Sequence, residues 1–285
     1  MSDMNITPEK NIGGIIAEAN NLTAAQLEEI LQYQRENGVK FGEAAVALGF
    51  ISRDVLWALS QQFHYPYSAE GSASAYSELV VANKPFDAPA EFFRDIRSNL
   101  IDSLFSQTES RCALAVCSAD PGDGKSFFSA NLAVAFSQLG RRTLLIDADM
   151  RTPRQSEIFK IEGSGGALSS VLAGRMETNV IKPVSALPNL YLLPVGVIPP
   201  NPLELVQSTA FDFLIAELLR KFDYVIVDTP AASHGADARV IAAKCGASVV
   251  IARRGVNRTE KVKSLVSALN KRNHRFAGVI LNAHK

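Results

Sequence analysis

The sequence predicts an α/β protein, a mostly parallel sheet covered by helices on both faces, preceded by a small helical domain. Three observations carry this. Beyond residue 112 come six apolar runs, ALAVCSA, RTLLIDA, LYLLPV, YVIVDT, ASVVIA and FAGVILN. Helix-like segments at about 125–139, 208–221, 234–243 and 258–272 alternate with them, the pattern of strands buried on both faces. A glycine-rich turn, SADPGDGKS, joins the first run to the first of those helices.

The chain's 285 residues suit one large domain plus a smaller one. With 47% hydrophobic and 20% charged residues and a mean hydropathy of +0.07, it is globular rather than disordered. It contains no run of the roughly 18 apolar residues that a membrane span needs, and Met1 to Lys10 lacks a basic-then-apolar leader, so a cytoplasmic protein is expected. Cys112, Cys117 and Cys245 lack metal or disulfide spacing and read as buried small residues. The formal net charge is zero, yet the part through residue 90 has eleven acidic and five basic side chains, leaving the remainder at plus six. An acidic front end has little reason to bind nucleic acid.

Residues 1–10 form a tail, and the helical domain spans 11–66, where the chain repeats itself. Ile12-Gly13 matches Phe41-Gly42, Leu22-Thr23 matches Ile51-Ser52, and Gln34 matches Gln62. Thr23 and Ser52 stand where helix N-caps belong, ahead of apolar residues three and four apart. Residues 67–85, rich in Ser, Ala and Gly with no sustained period, read as a linker to the large domain at 86–285.

In that domain the turn has the spacing Ala119-x4-Gly124-Lys125-Ser126, a phosphate-binding loop with alanine at its first glycine position. Gly122 and Gly124 let backbone N–H groups curl around a phosphate, and the following helix N-terminus adds its dipole. Lys125 neutralises β and γ oxygens, and the Ser126 hydroxyl ligates magnesium. Asp120, Pro121, Asp123 and Phe127 complete the nucleotide-binding set. The fold narrows to a P-loop NTPase. Two more strand ends supply acids: LLIDADMR places Asp147 and Asp149, and YVIVDTP places Asp228, where ligands of open parallel sheets collect.

These motifs together resemble bacterial tyrosine kinases, and more narrowly the chain-length-determinant kinases of exopolysaccharide assembly. The segment EFFRDIR resembles that family's Glu-x2-Arg-x2-Arg helix, at Glu91, Arg94 and Arg97, and PVGVIPPNPLEL resembles its proline-rich segment. The resemblance covers roughly residues 86–285. It implies an ATP- and Mg2+-dependent cytoplasmic kinase that forms a homo-oligomeric ring through Glu91, Arg94 and Arg97. It also implies a membrane-embedded polysaccharide copolymerase as partner, through which alone the protein meets the inner membrane. Carried over by position, Lys125, Asp147 and Asp149 are catalytic, with Asp147 the general base for the acceptor tyrosine, while Ser126, Asp149 and Asp228 hold magnesium and Asn282 reads the adenine.

Two alternatives stay open, a non-kinase ATPase regulator of polysaccharide assembly or partitioning type and a nucleotide-binding scaffold. Partitioning ATPases carry an extra lysine early in their loop where this chain has Asp120. The family usually ends in a tyrosine-bearing tail, whereas no tyrosine follows Tyr224 here. The candidate phosphoacceptors within the chain are therefore Tyr67 and Tyr76, with Tyr65 beside them. The helical front end resembles the N-terminal domain of type II secretion ATPases, some of which bind cyclic di-GMP. Only its second copy, Lys40, Phe41, Gly42 and Gly49, comes near that ligand's pattern, and a docking module is the plainer reading.

Overall fold

The computed structural model describes residues 17, 20, 22–39, 41–52, 76–105, 111–161, 167–175, 177–270 and 274–283. The chain divides into two compact units, Met1–Pro66 and Tyr67–Lys285.

In the first unit, helix α1 spans Ala24–Asn37 and α2 spans Phe41–Ala47. Thr23 caps α1 as its sequence position predicts. Its hydroxyl accepts from the Gln26 main chain, while the Gln26 side chain accepts from the Thr23 N–H. Gly38, left-handed at φ +65°, closes the same helix. Ile30 packs with Ala44, Ala45 and Ile51 in a small core of its own. Ser52 is described, but the helix it was expected to cap lies outside the described residues.

The second unit opens with α3 (Val80–Asn83) and α4 (Ala88–Leu100), the latter extended by a wider turn over Ile101–Phe105. Strand β1 (Ala113–Ser118) leads into α5 (Lys125–Ser137), and β2 (Thr143–Asp147) follows. Then come α6 (Gln155–Ile158), α7 (Leu168–Leu172), β3 (Lys182–Pro183) and β4 (Leu190–Leu193). Helices α8 (Pro202–Gln207) and α9 (Thr209–Lys221) precede β5 (Tyr224–Asp228). The unit closes with α10 (Asp237–Cys245), β6 (Gly246–Arg253), α11 (Thr259–Leu269) and β7 (Arg275–Asn282).

The sheet order is β3-β4-β2-β5-β1-β6-β7, and every pairing is parallel except the short β3 against β4. The central strands are buried from end to end, which is why they read as uninterrupted apolar runs. Because the chain goes from β1 to β2 by passing over β5, the loops after β1, β2 and β5 open at one end of the sheet, beside one another. Cys112, Cys117 and Cys245 are buried free thiols, and burial pushes that of Cys117 up to about 12.

The linker expected over 67–85 needs correction from Tyr76 onward; its earlier part and Tyr67 lie outside the described residues. Leu79, Val81 and Ala82 are buried, and Asn131 of α5 grips this segment at both backbone polarities. Its side chain donates to the Glu78 carbonyl at 2.9 Å and accepts from the Val81 N–H at 3.1 Å. Tyr76 is half-buried, and its carbonyl accepts from the Asn83 amide at 2.7 Å.

Candidate functional site

The turn after β1 is built around two left-handed glycines, Gly122 at φ +80° and Gly124 at φ +98°. Gly124 is the N-cap residue of α5 and offers no side chain, so the first-turn N–H groups stay open to an anion. A Cβ on Gly124 would sit 2.5 Å from Asn282 Nδ2. Asn282 in turn donates to the Asp123 carbonyl at 3.0 Å, so the end of β7 supports the turn from outside.

The aspartates of the turn face away from the cradle. Asp123 Oδ2 accepts from the Asp120 N–H at 3.0 Å and its Oδ1 from the Asn257 amide at 2.9 Å. Asp120 pairs with Lys261 of α11 at 2.7 Å. Both carboxylates therefore brace the loop against Asn257 of the β6–α11 connection and Lys261 of α11, which leaves the main chain of Asp120 and Asp123 as their part in the nucleotide-binding loop.

A cleft of about 190 Å³ opens in front of the turn, lined by Gly122, Gly124, Lys125, Ser126, Asp149 and Thr152 among others. It brings together Lys125, Ser126 and Asp149, as their motifs led one to expect. Behind it, Asp147 and Asp228 are Cα partners at the ends of β2 and β5, and both are buried. Burial, and then the neighbouring Asp228 charge, raises the Asp147 carboxyl well above the usual range. Asp147 accepts from the Gln155 N–H at 2.9 Å and the Asp149 N–H at 3.2 Å, contacts that oppose this rise without cancelling it. Burial likewise raises Asp228, while Gln155, Ser126 and Lys125 pull it down.

Asp149 closes the β2 turn on itself, accepting from the Arg151 and Thr152 N–H groups and the Thr152 hydroxyl. Arg151 then reaches the buried Asp237 at the start of α10 at 3.1 Å. Among the described residues no three carboxylate, His or Cys groups gather closely enough to hold a metal alone. A magnesium ion would fit here as one that arrives with phosphate oxygens and keeps waters, and the side chains that could contribute are those of Ser126, Asp149 and Asp228. The glycine cradle, the nearly buried Lys125 and the acids behind it fit such an ion.

An apolar cavity of about 440 Å³ adjoins Gly124, with Phe92, Phe93, Phe127, Leu281 and Asn282 among its walls. Its size and its aromatic lining suit a planar base. Phe127 and Asn282, singled out from the sequence, meet there.

Of the three helix residues tied to a ring, Arg94 pairs with Glu91 within α4, while Arg97 turns inward. Its guanidinium donates to the Ala135 carbonyl at 2.6 Å, one of the α5 carbonyls left without a helical partner. Sequence reasoning missed Gln155, Asn257, Lys261 and Asn131. Each is a lone polar residue outside any motif, and only the tertiary fold gives it a partner.

The family model for the CobQ/CobB/MinD/ParA nucleotide binding domain matches residues 114–285. The tyrosine-protein kinase CpsD of Streptococcus agalactiae is 35% identical over 192 residues, 67% of this chain and 82% of CpsD. The tyrosine-protein kinase YwqD of Bacillus subtilis (strain 168) is 34% identical over 207 residues, 73% of this chain and 86% of YwqD. The solved kinase domain of Escherichia coli tyrosine kinase ETK shares the fold with a TM-score of 0.67 at 31% identity, over 72% of this chain and 79% of that chain.

Proposed function

This chain belongs to the bacterial tyrosine-protein kinases of the CobQ/CobB/MinD/ParA nucleotide-binding family, and from that premise we propose that it transfers the γ-phosphoryl group of Mg-ATP to a tyrosine hydroxyl in exopolysaccharide assembly. The observation that carries this is the convergence of Lys125, Ser126 and Asp149 on one cleft, with Asp147 and Asp228 directly behind it.

In this reading the adenine occupies the cavity beside Asn282 and Phe127, and the phosphates lie on the N–H groups of the 119–126 turn. Magnesium, when bound, neutralises charge on the β- and γ-phosphates and keeps them in line. Lys125 adds a second positive charge from a nearly buried position, where electrostatic interactions are strong. Asp147 takes the phenolic proton as the tyrosine oxygen bonds to phosphorus and the bond to ADP breaks. Its raised proton affinity suits that role, because a phenol is a far weaker acid than an ordinary carboxylic acid.

The wider assembly follows the family. A ring of copies would meet through the Glu91–Arg94 face of α4, with Arg97 anchoring that helix to its own domain. The partner would be a membrane-embedded polysaccharide copolymerase, and the effect on the polymer a control of chain length. No helix among the described residues is long and apolar enough to cross a membrane, so attachment would run through that partner. Within the chain, Tyr67 and Tyr76 remain the candidate acceptors, although Tyr76 must first be released from its tie to Asn83.

Incubation with Mg-ATP and a tyrosine-containing polymer, followed by anti-phosphotyrosine detection and mass spectrometry, tests the reading. Phosphotyrosine on the polymer supports it, and modification of Tyr67 or Tyr76 identifies an internal acceptor. Release of free phosphate with no phosphotyrosine on either would replace it with the ATPase regulator.

A further inference from the structure

We propose that Gln155 is a positioning residue that aligns the magnesium-binding side chains, holding Asp228 against the first turn of α5. This role rests on the Mg-nucleotide reading above and assigns the metal's alignment to a residue outside the three motifs.

Gln155 opens α6 and is fully buried. Its donors go to separate addresses. The main-chain N–H serves the base, donating to Asp147 Oδ2 at 2.9 Å. The side-chain Nε2 serves the metal residues, donating to Asp228 Oδ2 at 2.7 Å and to the Ser126 carbonyl at 3.1 Å. An amide nitrogen carries two hydrogens, so both are used. The Ser129 hydroxyl reaches the other carboxylate oxygen, Asp228 Oδ1, at 3.4 Å, so Asp228 is held to α5 from two sides.

The orientation of the amide follows from the same contacts. Turned over, it would set its oxygen against a carboxylate oxygen and a carbonyl oxygen, losing both bonds. As placed, Oε1 is buried with no hydrogen-bond partner, so the donors alone hold the side chain. Asp147 and Asp228 are neighbours across β2 and β5, and like charges at that spacing push apart. A neutral donor wedged beside Asp228 fixes its carboxylate without adding charge. Removing only the side-chain donors leaves the main-chain contact to Asp147 in place, so the change falls on Asp228 and the Ser126 carbonyl.

The experiment uses Gln155→Met, which nearly keeps the volume and removes both donors, in the full chain. Binding of a fluorescent ADP analogue is titrated with and without Mg2+. The half-saturating Mg2+ concentration should rise about tenfold, as outer-shell substitutions at metal sites do, while metal-free nucleotide affinity stays within about threefold. In an Asp228→Asn background, Gln155→Met should produce no further shift in the Mg2+ response, because it acts through Asp228. If Gln155→Met fails to fold by circular dichroism, Gln155→Asn, one methylene too short to reach both acceptors, should show the same Mg2+ shift. A wild-type Mg2+ response in the folded variant, equal losses with and without metal, or an undiminished effect of Gln155→Met in the Asp228→Asn background would overturn the proposal. A wild-type protein whose ADP binding ignores Mg2+ would instead overturn the functional reading and this role with it.

Discussion

Replacing Gly124 by alanine perturbs the phosphate turn at a position where the structure allows the cost to be worked out. The residue holds φ +98°, a left-handed conformation that costs an L-residue with a Cβ about 1–2 kcal/mol. The new methyl would lie 2.5 Å from Asn282 Nδ2, far inside contact distance, so Asn282 must move. That movement breaks its 3.0 Å bond to the Asp123 carbonyl, worth about 1 kcal/mol. The two effects total about 2–3 kcal/mol, which for a domain of this size is a fall in Tm of roughly 5–10 °C. Differential scanning calorimetry of the ligand-free protein measures it. Combining Gly124→Ala with Asn282→Ala separates the contributions, because it removes the clash and leaves the backbone strain. The double variant should add little to the single variant's loss, since the bond to Asp123 is already broken there. A Gly124→Ala protein that melts within 2 °C of wild type would refute this account of the turn.

Three further outcomes follow from the same geometry. Lys125→Met should lower phosphotransfer by at least about a hundredfold at saturating Mg-ATP, with the fold retained, because a charge aimed at the phosphates is lost; activity within threefold of wild type in a single-turnover assay would remove the turn from the mechanism. Arg97→Ala should destabilise the monomer by about 1 kcal/mol in urea titrations, since the Ala135 carbonyl loses its donor, whereas Arg94→Ala should chiefly lower the sedimentation coefficient; the reverse pattern would exchange their roles. Asp147→Asn should flatten the pH dependence of metal-free stability. Burial and Asp228 raise the native Asp147 pKa, so above the ordinary carboxylate pKa the unfolded chain releases a proton that the native state still holds. More protons bound to the native state make wild-type stability fall as pH rises through that window, by about 1.4 kcal/mol for each tenfold change in proton affinity, and the asparagine variant lacks this slope. Parallel urea profiles for the two proteins would show that Asp147 is not held protonated.

The P-loop and the strand-end acids were legible in the sequence because each is a local pattern. A run of apolar residues, a glycine turn and an apolar helix follow one another without a gap from Ala113 to Ser137, and DADMR and VIVDTP end strands of the same kind. What was not legible depends on partners far along the chain. Residues 76–84 have the small, polar-leaning surroundings of a linker, and their apolar run, Leu79 to Ala82, is too short to show a period. They are ordered by Asn131, fifty positions beyond Val81. Asp120 and Asp123 fall inside a motif whose purpose is to hold an anion, yet their charge would oppose a phosphate. The fold resolves the conflict by turning them onto Asn257 and Lys261. Arg97 fits a surface pattern by spacing, while its actual partner is an unsatisfied carbonyl on a different helix.

The position of the acids also bears on when the site is fully formed. Asp147 and Asp228 sit side by side, buried, with proton affinities raised by the same burial, so the pair resists holding two negative charges. A carboxylate that still holds its proton cannot accept one from a phenol. In the proposed mechanism a dication brought in by the nucleotide would favour the doubly ionised pair, so the charge that aligns the phosphates would also prepare Asp147 as a base. Arrival of the metal and readiness of the base would then be thermodynamically linked, and binding of Mg-ADP should release protons. Calorimetric titration in buffers of different ionisation enthalpy counts those protons. Release should exceed that seen with metal-free ADP and should diminish in Asp147→Asn. Equal proton counts with and without Mg2+ would mean that the pair is already ionised and that metal and base act independently.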